Sequence, residues 1–217
     1  LAKKVLCAFP NTFSNDDVQV CGNPVRQEII NIVQPTVSKD CKNILIVGGS
    51  RGALQLNQLV PAALRLADDY SINVKHQSGE ALYHATLCAY EGFLGDCQVL
   101  PYIDDMVAAY EWADLVICRS GAMTVFEIMA AGKLALFVPY PYAVDDHQAA
   151  NANYLVEKEA ALMVNSKQLS VEELSTMIQT LRRQSADNLR KAQRAYALRV
   201  VDADIQVCEV CWSKAID

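Results

Sequence analysis

Short runs of aliphatic and β-branched residues bounded by turn formers alternate along the chain with longer segments of helical period. The candidate strands are Asn43–Val47, Ile72–His76, Gln98–Leu100, Leu115–Cys118, Leu134–Val138 and Ala161–Val164, each followed by a candidate helix. Alternation of this kind implies βα units around a parallel sheet, and the near-continuous apolar character of the runs fits strands covered on both faces. The predicted class is α/β, with helices on both faces of the sheet.

The two ends of the chain read differently. Residues 1 to about 40 hold the extended pieces Lys4–Ala8 and Val18–Cys21, then Asn23-Pro24 leading a short helix, then a polar linker around Val37–Lys42. From about Ser170 the pattern is wholly helical: Ser170-Val-Glu-Glu173 has the form of a capping box, and apolar periodicity continues to Trp212. The expected division is a preceding-domain remnant over 1–22, a ligand-binding α/β domain over 23–183 and a helical tail over 184–217. Leu1 is not an initiator methionine, and the opening reads as a strand entered in mid-domain, so a fragment of a longer protein is expected.

Composition narrows the class of partner. The 217 residues are 52% hydrophobic, ample for a buried core, and carry a formal charge of −6 with no basic run to neutralise a phosphate backbone, which argues against nucleic acid. The most apolar stretch, Leu134–Val144, is broken by Pro139 and Pro141 and falls short of the roughly 18 to 20 residues that span a bilayer, so the chain reads as soluble. Eight cysteines scattered through apolar segments suit reduced, buried cytosolic thiols. Cys208-Glu-Val-Cys211 has metal-like spacing but no second ligand pair, and Asp202-Ala-Asp204 lies in the helical tail, so neither metal nor cofactor is expected.

Five local patterns carry possible chemistry. Ile44-Leu-Ile-Val-Gly-Gly-Ser-Arg-Gly52 runs a strand into a glycine-rich turn and a helix from about Ala53, where unpaired N–H groups and a helix-end charge of about half an electron favour an anion. It is neither a P-loop nor a full dinucleotide fingerprint, and a ligand-free tight turn has the same form. Cys118-Arg-Ser-Gly-Ala-Met-Thr-Val-Phe-Glu127 repeats the strand–turn–helix design, and two such turns at strand C-termini suit one shared ligand. Glu127 could accept from both hydroxyls of a ribose or stand as a solvated helix glutamate. Pro139-Tyr-Pro-Tyr-Ala-Val-Asp-Asp-His-Gln148, with Asn151, delivers polar side chains at a helix start. Gln148 could read sugar hydroxyls, or the loop could serve only capping by Asp145 or Asp146. Arg26 in Gly22-Asn-Pro-Val-Arg26 could reach a diphosphate or lie at the surface, and the backbone of Ile103 in Tyr102-Ile-Asp-Asp-Met106 could pair with a base edge.

Taken together and in order, Gly22-Asn-Pro-Val-Arg26, Val47-Gly-Gly-Ser-Arg-Gly-Ala53, Lys75-His-Gln-Ser-Gly79, Tyr102-Ile-Asp-Asp-Met106, Cys118 through Glu127 and Leu136-Phe-Val-Pro139 resemble the MurG family of peptidoglycan glycosyltransferases. The resemblance runs from about residue 3 to 182. It implies the C-terminal, donor-binding half of a GT-B enzyme: a Rossmann-like parallel sheet with helices on both faces plus a C-terminal helical tail. The implied activity is inverting transfer of N-acetylglucosamine from UDP-N-acetylglucosamine to the undecaprenyl-linked lipid I acceptor, giving lipid II in peptidoglycan synthesis. The implied location is the cytoplasmic side of the bacterial inner membrane, as a peripheral protein.

The same resemblance implies roles at matching positions. Arg26 and Ser50 would contact the UDP diphosphate, and Ile103 would meet uracil through its backbone. The turn Ala122, Met123, Thr124, Val125 and Phe126 would face sugar and phosphates, Glu127 would hold the ribose diol, and Gln148 would read the N-acetylglucosamine, with Asn151 as a further candidate. Acceptor and membrane contacts, and the catalytic base, are expected in the missing N-terminal domain, and His147 is not assigned as that base. His76 and His84 read as packed or solvated. Arg51 stands where many relatives carry glutamine. Rival readings are a stand-alone donor-binding subunit that needs a partner protein and a GT-B-like UDP-N-acetylglucosamine epimerase.

Overall fold

The computed structural model describes residues 4–10, 12, 18–34, 41–49, 52–141 and 146–215. Its centre is a sheet of β3 (Asn43–Val47), β4 (Asn73–Gln77), β5 (Asp96–Leu100), β6 (Leu115–Cys118), β7 (Leu134–Phe137) and β8 (Leu162–Met163), all parallel, in the order β5-β4-β3-β6-β7-β8. The α/β expectation holds, with the six strands in the six predicted places. Boundaries moved most at β5, which starts at Asp96 because an edge strand leaves its outward positions exposed and breaks the apolar run that marks covered strands.

The central strands pair in phase. Ile44, Leu115 and Leu134 form one cross-strand row, followed by Leu45, Val116 and Ala135, then Ile46, Ile117 and Leu136, then Val47, Cys118 and Phe137. Because side chains alternate across a strand, successive rows enter opposite cores. One core is closed by α2 (Leu54–Ala67) and α7 (Val171–Arg183) through Leu56, Val60, Leu64, Leu174, Ile178 and Leu181. The other is closed by α4 (Met106–Trp112), α5 (Ala122–Ala131) and α8 (Ser185–Ala197), joined by Ile29 of α1 (Gln27–Ile30). Each fully buried leucine or isoleucine contributes roughly 1.5–3 kcal/mol, so the two layers together supply the main stabilisation.

The flanking segments attach to this body. β1 (Val5–Cys7) and β2 (Val18–Val20) form a separate parallel pair within the predicted extended pieces. Phe9, just after β1, packs its ring 5.0 Å from that of Phe126. In the helical region Ser170 caps α7 as the capping box requires, accepting from the Glu173 N–H at 3.1 Å. The last helix, α9 (Ala203–Ala215), is less covered than its apolar periodicity suggests: Ile205 and Trp212 are exposed. Thiol burial also differs from expectation, since Cys88, Cys208 and Cys211 are exposed and only Cys7, Cys21, Cys41 and Cys118 are fully buried.

A polar clamp ties the far end of α7 to the start of the sheet. Arg182 donates from Nε to the Cys41 carbonyl at 3.1 Å and from Nη2 to Ser71 Oγ at 2.7 Å, and pairs with Asp69. The Ser71 hydroxyl first, and Arg182 next, lower the Asp69 carboxyl from 3.8 to about 2. A depressed carboxyl stabilises the fold above its unfolded value and ceases to do so as the pH falls through its folded one. Asp69→Ala should therefore cost about 1–3 kcal/mol at neutral pH. In urea titrations the gap from wild type should close as the pH approaches 2, the folded value of Asp69.

Candidate functional site

Chain order places a switch point at the middle of the sheet. From β3 the strands proceed outward through β4 and β5 on one side, while β6, β7 and β8 build the other, so β3 and β6 are neighbours whose following loops diverge. A crevice outside the strand C-termini at such a point is where ligands of open α/β sheets bind. The loops after β3, β5, β6 and β7 carry nearly all the residues singled out from sequence.

After β3 the backbone turns through Gly48, Gly49 (φ 84°) and Gly52 (φ 73°) into α2, with the Gly52 N–H donating to the Gly49 carbonyl at 3.0 Å. A Cβ at Gly52 would overlap the Ser78 carbonyl, and one at Gly48 would lie 2.6 Å from the Ala53 nitrogen. Glycine is thus demanded by backbone-to-backbone contact as well as by positive φ. Ser50 and Arg51 lie outside the described residues.

Beneath this turn runs a buried polar relay. Asn57 of α2 donates from Nδ2 to the Ser78 carbonyl at 2.9 Å, while its Oδ1 lies 3.0 Å from His76 Nε2, and His76 Nδ1 lies 2.8 Å from the Tyr90 hydroxyl. Asn57 Oδ1 can only accept, so Nε2 carries the imidazole proton and Nδ1 accepts from Tyr90. The proton direction is fixed along the whole relay. Burial holds His76 neutral, lowering its pKa from 6.5 to about 3. His76 is packed, and His84 is exposed.

After β6, Arg119 and Ser120 bind the neighbouring loop. Arg119 Nη1 donates to the carbonyls of Val138 and Pro139, each at 2.8 Å, and lies 3.2 Å from Gln55 Oε1. Ser120 Oγ donates to the Gln148 carbonyl at 2.8 Å, and Asn151 Nδ2 donates to the Ser120 carbonyl at 3.1 Å. Gln148, in α6 (His147–Val156), accepts at Oε1 from the Tyr140 N–H at 2.9 Å. Gln148 and Asn151 are therefore fastened to the loop after β6. Asp146 occupies the N-cap of α6 without a side-chain capping bond among the described residues, and Asp145 lies outside them.

The first turn of α5 leaves the N–H groups of Ala122, Met123 and Thr124 without intrahelical partners. Met123 is exposed and Thr124 half-buried. Val125 and Phe126, grouped with them from the contiguous motif, turn inward to the core, and the Val125 N–H is already committed to the Gly121 carbonyl at 3.1 Å. Helical period explains the split: Glu127 returns to the face of Met123 and Thr124, whereas Val125 and Phe126 point to the sheet.

Glu127 is the charged centre of the cluster. Its Oε2 accepts from the Tyr110 hydroxyl at 2.9 Å, and its Oε1 lies 3.6 Å from Arg26 Nη2. The Glu127 side chain is 17% exposed and that of Arg26 55%, so the carboxylate is a fixed acceptor beside a guanidinium with freedom to move. The solvated-glutamate alternative is excluded by that burial. Ile103 is buried, and its N–H donates to Gln77 Oε1 at 3.3 Å. Tyr110 and Asn57 lie in no motif, and Gln77 and Arg119 have no signal in the sequence beyond theirs, because each acts through a contact made in space. Among the described residues no group of three or more His, Cys, Asp or Glu side chains is placed to hold a metal.

Residues 43–207 match the family model for the glycosyltransferase family 28 C-terminal domain. The chain belongs to that family. It is 43% identical over 220 residues to a UDP-N-acetylglucosamine–N-acetylmuramyl-(pentapeptide) pyrophosphoryl-undecaprenol N-acetylglucosamine transferase of Shewanella baltica, covering 99% of this chain and 61% of the relative. A transferase of the same name from Psychromonas ingrahamii is 39% identical over 212 residues, covering 97% and 60%. The crystal structure of Acinetobacter baumannii MurG superposes with a TM-score of 0.82 at 39% identity, over 96% of this chain and 60% of that one. The calicheamicin glycosyltransferase CalG4, at 18% identity and a TM-score of 0.64, covering 97% of this chain and 53% of its own, shares the fold. A MurG-type C-terminal domain, as the motifs imply, is what these likenesses show. The chain spans about 60% of the length of the curated relatives it matches.

The relay makes stability depend on pH in one direction. Between pH 6.5 and about 3 the unfolded chain binds a proton at His76 that the folded chain refuses, so stability fades as the pH falls through that window. The contribution to the slope is up to about 1.4 kcal/mol per pH unit. In His76→Gln, which cannot titrate, urea unfolding at neutral pH and within the window should lack this part of the slope.

Proposed function

We propose that this chain is the donor-binding half of an inverting glycosyltransferase that transfers N-acetylglucosamine from UDP-N-acetylglucosamine to undecaprenyl-pyrophosphoryl-N-acetylmuramyl-pentapeptide at the cytoplasmic face of the bacterial membrane. The observation that carries the reading is the pairing of Arg26 with Glu127 on the helix after β6 of a family 28 domain, with Gln148 fastened through Ser120 to the loop that precedes that helix. Glu127 holds the ribose diol, the Ile103 backbone meets the uracil, and Gln148 reads the sugar. Breaking the anomeric bond places negative charge on the diphosphate. Arg26, Ser50 and the two helix N-termini stabilise that charge as it develops, which lowers the barrier selectively for the transition state. The acceptor's lipid, the membrane surface and the base that takes the acceptor proton belong to another domain. Among the described residues no helix is long and apolar enough to cross a membrane.

Two outcomes test this. Glu127→Ala should weaken UDP binding by about 1–3 kcal/mol in calorimetry while the variant stays folded, because two hydroxyls lose a charged acceptor. Unchanged affinity removes Glu127 from the site. In the second, the chain is mixed with UDP-N-acetylglucosamine and the lipid-linked acceptor beside a two-domain relative, and UDP release and product mass are followed. The chain should bind donor and transfer nothing, since acceptor positioning alone accounts for as much as roughly 7–11 kcal/mol of barrier reduction. Transfer at the relative's rate would place the base within this chain, and a changed free sugar would mark an epimerase.

A further inference from the structure

We propose that Tyr110 is a positioning residue for ribose recognition: its buried hydroxyl claims one oxygen of Glu127 and fixes the carboxylate plane, giving the chain a preference for a ribonucleotide donor over its 2′-deoxy counterpart. This rests on the reading that Glu127 holds the ribose diol.

Tyr110 lies on α4 and is wholly buried, with its ring in the core shared by α4, α5 and the sheet. Packing of that kind leaves the ring one rotamer, so the hydroxyl has one place to point. It meets Glu127 Oε2 at 2.9 Å. An ionised carboxylate only accepts, so Tyr110 donates, and burial, with the nearby Glu127 charge as a second cause, raises the phenol well above its usual range. The donor proton therefore stays on Tyr110 throughout the working pH range.

That bond changes what Glu127 can do. A diol binds a carboxylate through two hydroxyls, which demands a set carboxylate plane, while a free glutamate side chain loses rotamer freedom on being ordered. Tyr110 removes that freedom beforehand. It occupies one acceptor position of Oε2, and Arg26 stands 3.6 Å from Oε1 without a hydrogen bond to it, so acceptor positions remain for the diol. Tyr110 also lies on the helix that begins just after Ile103, whose N–H is held by Gln77. Gln77 of β4 thus holds the segment at Ile103, and Tyr110 of α4 holds the carboxylate.

The test is calorimetry of the full 217-residue chain with UDP and with 2′-deoxy-UDP. Wild type should prefer UDP. Tyr110→Phe, which deletes a single oxygen, should lose roughly tenfold in UDP affinity and less than about twofold for the deoxy nucleotide, so that the preference collapses. In a Glu127→Ala background the same substitution should add no further loss, since Tyr110 acts through that carboxylate. Glu127→Gln leaves the tyrosine packing untouched and provides an arm that does not depend on the phenylalanine variant folding. Its amide oxygen still accepts from Tyr110, but the second acceptor oxygen and the negative charge are gone, so the preference should fall there as well. A wild type that binds both nucleotides equally overturns the ribose assignment of Glu127 itself. A wild type that prefers UDP, with the preference kept in Tyr110→Phe or with losses that add in the double variant, overturns the role of Tyr110 and leaves that assignment standing; a preference kept in Glu127→Gln overturns both.

Discussion

Everything at the candidate site depends on the in-phase parallel pairing of β3, β6 and β7. Four cross-strand rows alternate between two apolar layers, so neither face can slip by one residue without sending a full set of aliphatic side chains into the wrong core. Strands locked in this way end at one level. The loops that follow must then satisfy the strand-end carbonyls beside one another, and Arg119 meets two of them at once. The convergence of the loops is therefore a result of core packing, and the chemistry of the cleft is built on a position that the apolar rows determine.

Polar groups inside the apolar layers set orientation. Leaving one buried donor or acceptor without a partner costs about 1–3 kcal/mol, so a chain of mutually satisfied groups has few alternatives. The Tyr90–His76–Asn57 relay ends on the Ser78 carbonyl, and the Tyr110 hydroxyl ends on Glu127. The first runs from the protein interior to the loop after β4, the second to the helix after β6. The arrangement accounts for a neutral histidine and a protonated tyrosine whose roles are structural, although either residue type on its own suggests acid–base chemistry.

Strands covered on both faces were legible as apolar runs, and β3 and β6 were read with their bounds intact. Edge strands were less so, because exposed positions such as Asp96 and Gln98 interrupt the run. At the site, Arg26, Glu127, Gln148 and Asn151 could be named from motif form. Their partners could not: Tyr110 is 17 residues from Glu127 along the chain, and Asn57 is 19 from His76, separations at which composition and spacing carry no information about contact. Val125 and Phe126 were included because a motif is contiguous, whereas a helix divides contiguous residues between cleft and core. The exposure of Ile205 and Trp212 shows the converse, an apolar period that is not buried within the described chain.

The contact between Gly52 and the Ser78 carbonyl sets a limit on how this sequence can vary. When two side chains collide, a smaller neighbour elsewhere relieves the overlap, so core positions drift together through compensating pairs of changes. At Gly52 the opposing atom belongs to the main chain, which is the same whatever amino acid occupies position 78. No second-site replacement of that residue can make room. A lineage that lost this glycine could recover only by reversion or by moving an entire loop, so variation around the turn is confined to paths that never leave glycine at this point.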